Sequence, residues 1–141
     1  MSAFTTARRI EFRDTDAAGI VHFSAFFLWM ESAEHELLRR VGIPIFDHQS
    51  NGTIASWPRV SVSCDYKSPI HFGGEIAITI LVEEIGRTSI TYGFRFEQSG
   101  IWVAQGRVVV VRCLLHPEAN PAAVPIPADI VTRIRPFCTA S

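Results

Sequence analysis

Two carboxylates stand close together in a short turn near the start of the chain, Asp14-Thr15-Asp16-Ala17-Ala18-Gly19. An aspartate can attack a carbonyl carbon directly or take a proton from the water that attacks it. The same residue types are equally typical of a turn in which Asp side chains accept hydrogen bonds from nearby backbone N–H groups. Gly19 fits both interpretations, because glycine adopts a positive φ without steric cost. Spacing alone leaves the catalytic and the turn-forming roles of Asp14 and Asp16 open.

A helix is predicted directly after this turn, from Ser24 to Val41. Its apolar residues recur at steps of three and four, which places them on one face: Phe26, Met30, Ala33, Leu37 and Val41. We expect Ser24 to cap the first turn and Gly42 to end the helix. The first N–H groups of a helix have no partner within it and favour negative charge, so they could hold the oxyanion that forms when a carbonyl is attacked.

Alternation of apolar and polar residues predicts an antiparallel sheet in the remainder of the chain. The predicted strands are Thr6–Arg13, Val60–Lys67, Ile76–Val82, Ser89–Glu97 and Trp102–Leu115. We expect an α+β fold, with one domain over residues 1–141, in which this five-stranded antiparallel sheet curls around the long helix. Residues 115–141 are expected to form a Pro-rich tail that could hold a short helix.

Composition limits the function classes. The formal net charge is −1, Lys67 is the only lysine, and no basic cluster reaches the density of a nucleic-acid site. The three cysteines are widely spaced, which predicts reduced thiols rather than disulfides. No signal-like segment and no apolar run of about eighteen residues is present. We therefore expect a cytoplasmic protein with no nucleic-acid or membrane partner, whose outer sheet face is covered by a second subunit.

One segment resembles a known family signature. The run F-R-D-T-D-A-A-G-I-V-H-F-S-A-F-F-L-W-M-E-S-A, residues 12–33, is similar to that of the 4-hydroxybenzoyl-CoA thioesterase family of hot-dog proteins. The similarity continues at Val60–Pro69, Phe72–Glu75 and Gly86–Ser89, and covers roughly residues 5–115. The resemblance implies a hot-dog fold, a homodimer or a homotetramer built from two dimers, and hydrolysis of an acyl-CoA without a cofactor. An aryl acyl group is expected first, and a short- or medium-chain aliphatic group next.

The resemblance also implies roles for residues of the turn. Asp16, the second aspartate of the D-x-D pair, matches the family's catalytic carboxylate, acting as nucleophile or as general base. Backbone N–H groups near the helix start hold the substrate carbonyl in the family, and the matching positions are Gly19, His22 and Phe23. The family's usual Asn is replaced here by Ala25, and its usual aromatic residue by His22. His22 could therefore contact the acyl group or serve only in packing.

A second implied site is the turn formed by Arg87, Thr88 and Ser89, which matches a CoA-contacting turn of the family. The forked donors of arginine suit a phosphate group, so Arg87 is the candidate phosphate contact. A solvated turn residue is the simpler alternative for this position.

Other catalytic groups and other functions must be weighed against Asp16 and thioester hydrolysis. A related hot-dog lineage uses a helix glutamate for catalysis, but we interpret Glu31 as structural. Glu31 and His35 are spaced for a metal, yet no third ligand is indicated, so no metal is expected. No G-x-S-x-G elbow is present. The main alternative function is a non-catalytic module that binds acyl-CoA or another small ligand in the same groove. A hot-dog dehydratase is the least favoured alternative, because this chain lacks the D-x-N-x-x-H pattern of such enzymes.

Overall fold

The computed structural model describes residues 3–139. Its strands are β1 (Phe4–Arg9), β2 (Asp47–His48), β3 (Ile54–Ser56), β4 (Arg59–Tyr66), β5 (Glu75–Ile85), β6 (Ser89–Gln98), β7 (Ile101–Val111), β8 (Cys113–His116) and β9 (Ala119–Ala123). Its α-helices are α1 (Phe23–Arg40) and α2 (Ala128–Ile134). Neither is both long and apolar enough to cross a membrane.

The larger sheet has five antiparallel strands in the order β1-β5-β6-β7-β4. Its buried face is formed by alternate residues, as the predicted strand pattern requires. In β5 and β6 these residues are Ile76, Ile78, Ile80, Val82, Ile90, Tyr92, Phe94 and Phe96. The alternation predicted for these two strands is therefore confirmed, and β4 lies at one edge of the sheet.

Helix α1 packs its apolar stripe onto the core. Phe26, Met30, Ala33 and Leu37 are each at most 3% exposed, so the predicted stripe is confirmed at these positions. The helix comes very close to β7, because a side-chain carbon added at Gly106 would collide with Met30 Sδ. The apolar face of the helix and the lack of a side chain at Gly106 together set the distance between helix and sheet.

The ends of α1 agree only in part with the sequence analysis. The predicted cap at Ser24 is wrong: His22 is the capping residue, and its Nδ1 accepts a hydrogen bond from Ser24 N at 3.2 Å. The predicted stop at Gly42 is confirmed, since its φ is 75° and Ile43 N donates to Leu38 O at 2.9 Å. Glycine supplies the left-handed conformation that this helix-ending motif requires.

A second sheet departs from the prediction of a single sheet around a single helix. It has four strands in the order β2-β3-β8-β9. The strand predicted from Trp102 to Leu115 breaks at Arg112, because Arg112 N donates to Thr88 O at 2.7 Å and its buried guanidinium lies 4.9 Å from the Trp57 ring centroid. The predicted Pro-rich tail contains the short helix α2, as expected. It also contains the strand β9, which was not predicted.

One carboxyl group lies inside the core. Glu34, on the buried face of α1, has no exposed surface. Its Oε1 accepts a hydrogen bond from Arg59 Nη2 at 2.8 Å, whereas Oε2 has no partner in residues 3–139. Burial raises the pKa of Glu34 from 4.5 to about 7, against the lowering effect of Arg59. Arg59 also reaches Glu31 Oε2 at 3.5 Å and His35 Nε2 at 3.4 Å.

The raised pKa of Glu34 should make the protein less stable as the pH rises. Below pH 4.5 the carboxyl is protonated in the folded and unfolded chains alike. Between 4.5 and about 7 the unfolded chain loses the proton first, so the free energy of unfolding falls, by roughly 3 kcal/mol in total. We expect Glu34→Gln to abolish this decline, as measured by chemical denaturation from pH 5 to pH 8. Parallel stability profiles for the two proteins would contradict the assignment.

Candidate active site

The loop between β1 and α1 is fixed by backbone hydrogen bonds. A short 3-10 turn, Phe12–Asp14, follows β1, and Asp14 Oδ2 accepts from Glu11 N at 2.8 Å. Further along, Val21 N donates to Ile70 O at 2.7 Å, which joins the loop to the segment between β4 and β5. Asp14 thus has the turn-forming role that the sequence left open for both aspartates.

Asp16 combines a turn contact with a free carboxylate oxygen. Its Oδ1 accepts a hydrogen bond from Ala18 N at 2.8 Å, and its backbone is paired with Ile20 through Asp16 N to Ile20 O at 2.9 Å. Gly19 has φ 80°, the conformation for which glycine was expected. The side chain is exposed, and Oδ2 accepts no hydrogen bond from residues 3–139. One oxygen therefore holds the turn and the other is available to a ligand.

Asp16 borders a groove of about 390 Å³. The groove runs between the turn, the start of α1 and the residues that end β4. Its apolar wall consists of Ile20, Val21, Phe23, Phe26, Pro69 and Ile70. Its polar lining comprises Asp16, Tyr66, Lys67 and Ser68, and the Tyr66 hydroxyl donates to Phe23 O at 3.2 Å.

Sequence reasoning did not assign Tyr66, Lys67 or Ser68 to the site. The resemblance at Val60–Pro69 covered them, but a strand pattern does not tell which loop its end will face. Their position follows from the pairing of Tyr66 with Ala104, a long-range contact of the sheet.

The helix start offers fewer free donors than predicted. His22 N donates to Asp14 O at 2.7 Å, and Gly19 N donates to Asp16 O at 2.9 Å, so neither amide is available to a substrate. The Phe23 amide, in contrast, has no acceptor within residues 3–139. Of the three positions named for the oxyanion site, Phe23 is the one that has an amide without an acceptor in residues 3–139 and also lines the groove.

The His22 side chain serves the fold. Its Nδ1 lies 2.8 Å from Ser24 Oγ and accepts from Ser24 N, which places the ring proton of the neutral form on Nε2. The ring also stacks on Phe23, with centroids 4.4 Å apart. These contacts fix the ring at the helix start, and His22 is not part of the groove lining.

The turn Arg87–Ser89 lies at the opposite end of the sheet from Asp16. Gly74, which precedes β5, accepts a hydrogen bond from the loop that carries Asp16, through Ile10 N at 3.0 Å. The turn follows the other end of β5, an 11-residue strand about 35 Å long. Thr88 O there accepts a hydrogen bond from Arg112 N, at the break between β7 and β8. The structure therefore does not bring this turn and Asp16 together within one chain.

Glu31 does not line the groove either. Its side chain is 51% exposed and pairs with Arg59. Within residues 3–139, no group of three or more potential ligands is placed to hold a metal ion, so Glu31 and His35 gain no third partner there.

Known proteins share this fold, and their sequences match this chain over most of its length. Residues 10–134 match the thioesterase-like superfamily. A 1,4-dihydroxy-2-naphthoyl-CoA hydrolase of a Synechococcus species is 30% identical over 131 residues, which are 87% of this chain and 84% of the relative. The solved 1,4-dihydroxy-2-naphthoyl-CoA thioesterase of Synechocystis is 25% identical with a TM-score of 0.81, covering 95% of this chain and 96% of its own.

A solved gentisyl-coenzyme A thioesterase is 28% identical with a TM-score of 0.78, over 93% of this chain and 99% of its own. These relatives are named for dihydroxynaphthoyl-CoA and gentisyl-CoA, so the matches do not single out the 4-hydroxybenzoyl-CoA branch. They confirm the resemblance at the level of the superfamily. By its sequence and its hot-dog fold, the chain belongs to the thioesterase-like superfamily.

Proposed function

We propose that the chain hydrolyses an acyl-CoA to the free acid and CoA, with Asp16 as the catalytic carboxylate. Thioester hydrolysis is the activity named for the relatives described above. The observation that carries the proposal is the free Oδ2 of Asp16 at the edge of a mostly apolar groove. The buried face of α1 against the five-stranded sheet supports the expected hot-dog arrangement, in which the sheet curls around the helix.

The reaction needs little beyond Asp16 and one amide. In the nucleophilic route, Asp16 Oδ2 bonds to the acyl carbon, the C–S bond breaks, CoA leaves as a thiolate, and water then hydrolyses the mixed anhydride. In the general-base route, Asp16 takes a proton from the water that attacks the same carbon, the C–S bond then breaks, and the departing CoA thiolate recovers the proton from Asp16 or from solvent. In both, the carbonyl oxygen becomes an oxyanion, which the Phe23 N–H and the positive end of the helix stabilise. A thiolate leaves readily, so no strong acid is required.

The groove favours an aromatic acyl group over a linear one. Phe23 and Phe26 contribute ring surfaces to its wall, and aromatic groups gain from edge and offset contacts with such rings. The acyl groups in the names of the relatives are aromatic too. An aryl-CoA is therefore the first proposed substrate, with short- or medium-chain acyl-CoA second.

A second copy of the chain is proposed to complete the site. Edge strand β4 exposes Val60 and Val62, at 61% and 40%, which is the kind of edge that pairs with another strand. Ser89 pairs with Val111, and Val111 N bonds to Pro58 O, so the Arg87–Ser89 turn and the start of β4 share one end of the sheet. Antiparallel pairing of two β4 strands would bring that end beside the Asp16 groove of the other copy. Arg87, Thr88 and Ser89 are thus proposed to contact CoA across a dimer, and two dimers can form a tetramer.

The cytoplasm is the proposed location. The cysteines Cys64, Cys113 and Cys138 are all free thiols in the structure. Free thiols are typical of proteins in reducing compartments, which supports this location.

Replacement of Asp16 should remove the activity while preserving the turn. Asn retains an oxygen that can accept the Ala18 N–H, so Asp16→Asn should fold like the wild type but lose at least about 100-fold in kcat. Asp14→Asn is the matched control, since Asp14 acts in the turn, and its kcat should stay close to that of the wild type. Release of CoA can be followed with a thiol reagent. Equal turnover by Asp16→Asn and the wild type would reject the assignment.

A substrate panel should separate the proposed acyl groups. We expect kcat/KM for aryl-CoA thioesters to exceed that for hexanoyl-CoA by about tenfold, because the flat ring fits against Phe23 and Phe26. Preference for hexanoyl-CoA would favour an aliphatic substrate instead. Calorimetry on the same panel tests the non-catalytic alternative, which requires tight binding without CoA release.

A charge at the β4 edge should dissociate the assembly. Val60→Lys changes an exposed side chain, so folding should be little affected, but a buried lysine would oppose strand pairing between copies. We expect light scattering to show monomers and the activity to fall in parallel. Phe46→Lys alters an equally exposed apolar residue elsewhere and should leave both properties unchanged. A fully active Val60→Lys monomer would contradict a shared site.

A further inference from the structure

The chain's only lysine, Lys67, is one of the residues that line the Asp16 groove. Lys67 N donates to Val103 O at 2.8 Å, so the end of the sheet fixes the position of the residue. Its Nζ lies 4.6 Å from the ring centroid of Trp102. Lys67 therefore links the groove lining to the outer face of the sheet, where Trp102 lies.

Trp102 holds a second cation. The guanidinium carbon of Arg95 lies 4.1 Å from the same ring centroid, and the indole is anchored by Trp102 Nε1 donating to Ala104 O at 2.9 Å. The face of an indole attracts cations, and this attraction compensates in part for the repulsion between the two charges. A single exposed indole thus keeps two positive groups together beside the groove.

Lys67 forms no ion pair with the part of the chain that the structure describes. Arg95 pairs with Glu97 at 3.0 Å, but no carboxylate of residues 3–139 lies within 4.0 Å of Lys67 Nζ. Beyond Trp102, the outer face mixes the signs of its charges, because Asp65 and Glu83 accompany Arg95 there. The ammonium group of Lys67 thus lies over Trp102 without a carboxylate partner, and the residue that carries it also lines the Asp16 groove.

We propose that Lys67, supported by Arg95 on Trp102, binds the phosphate groups of the CoA substrate where they leave the Asp16 groove. The proposal rests on the proposed function, since it concerns the non-reacting part of the same substrate. Phosphates are the strongest anions that an acyl-CoA carries, and an ammonium group pairs with them as a point charge. The site should therefore distinguish thioesters of CoA from thioesters of pantetheine, which carry no phosphate.

The test compares two thioesters of the same acyl group, one of CoA and one of pantetheine. Lys67→Met keeps the length and the apolar stem of the side chain while removing its charge. We expect its KM for the CoA thioester to rise about tenfold at unchanged kcat, with less effect at high salt, and its kinetics with the pantetheine thioester to match the wild type. The matched control is Arg107→Gln, which removes a positive charge that Glu83 already pairs at 2.9 Å, and its KM should not change.

Several outcomes would overturn the proposal. Three results would each show that Lys67 does not bind the phosphates. The KM of Lys67→Met for the CoA thioester could stay unchanged, or the KM could change equally for both thioesters. The third result is the same increase in KM in Arg107→Gln. Calorimetric binding of free CoA and free pantetheine separates this failure from failure of the proposed function. If the wild type hydrolyses no thioester but Lys67→Met binds CoA about tenfold more weakly, only the catalytic assignment fails. If the wild type is active and both proteins bind CoA equally, only the role of Lys67 fails.

Discussion

The hydrogen bond from Val21 N to Ile70 O, 2.7 Å long, is the contact on which the candidate site depends. It ties the loop that carries Asp16 to the segment that follows β4. The β-bridge between Ile20 and His71 and the hydrogen bond from the Tyr66 hydroxyl to Phe23 O reinforce the same connection. Ile70 is buried and Val21 nearly so, which keeps water away from the bond between them and strengthens it. The groove is thus a property of the loop packing as much as of the Asp16 side chain at its border.

Most polar groups at the start of α1 make hydrogen bonds within the fold, whereas the Phe23 amide has no acceptor in residues 3–139. The His22 amide holds the Asp14 carbonyl, and the His22 ring caps Ser24. Those contacts use the donors that would otherwise compete for a substrate, and they leave the Phe23 amide free. A helix start with one free amide gives a carbonyl oxygen a defined position, because alternative donors are already occupied.

Local pattern predicted much of the fold and only part of the site. The stripe of α1 and the alternation in β5 and β6 were readable because burial follows the period of each element. The break at Arg112 was not, since apolar residues continue on both sides of it and the reason for the break is a distant contact with Thr88. The cap at His22 was missed because histidine is not among the usual capping residues.

The site residues also differ in whether local sequence or distant contacts determine their positions. Asp16 and Gly19 could be found from the turn and the family signature, since both lie within one short segment. Lys67 and Tyr66 could not be assigned, because their position depends on how β4 pairs with β7. The distance between Arg87 and Asp16 within the chain likewise depends on the length of β5, which no local pattern around either residue reveals.

The contact between Gly106 and Met30 has a consequence for how this protein can diverge. Any side chain at position 106 requires Met30 to move or to be replaced by a shorter residue, since the added carbon would meet Met30 Sδ. Even then, the Ser63 carbonyl would remain 3.2 Å from that carbon, which leaves room for little more than a methyl group. Relatives should therefore change these two positions jointly, so their covariation would record the spacing between helix and sheet across the superfamily.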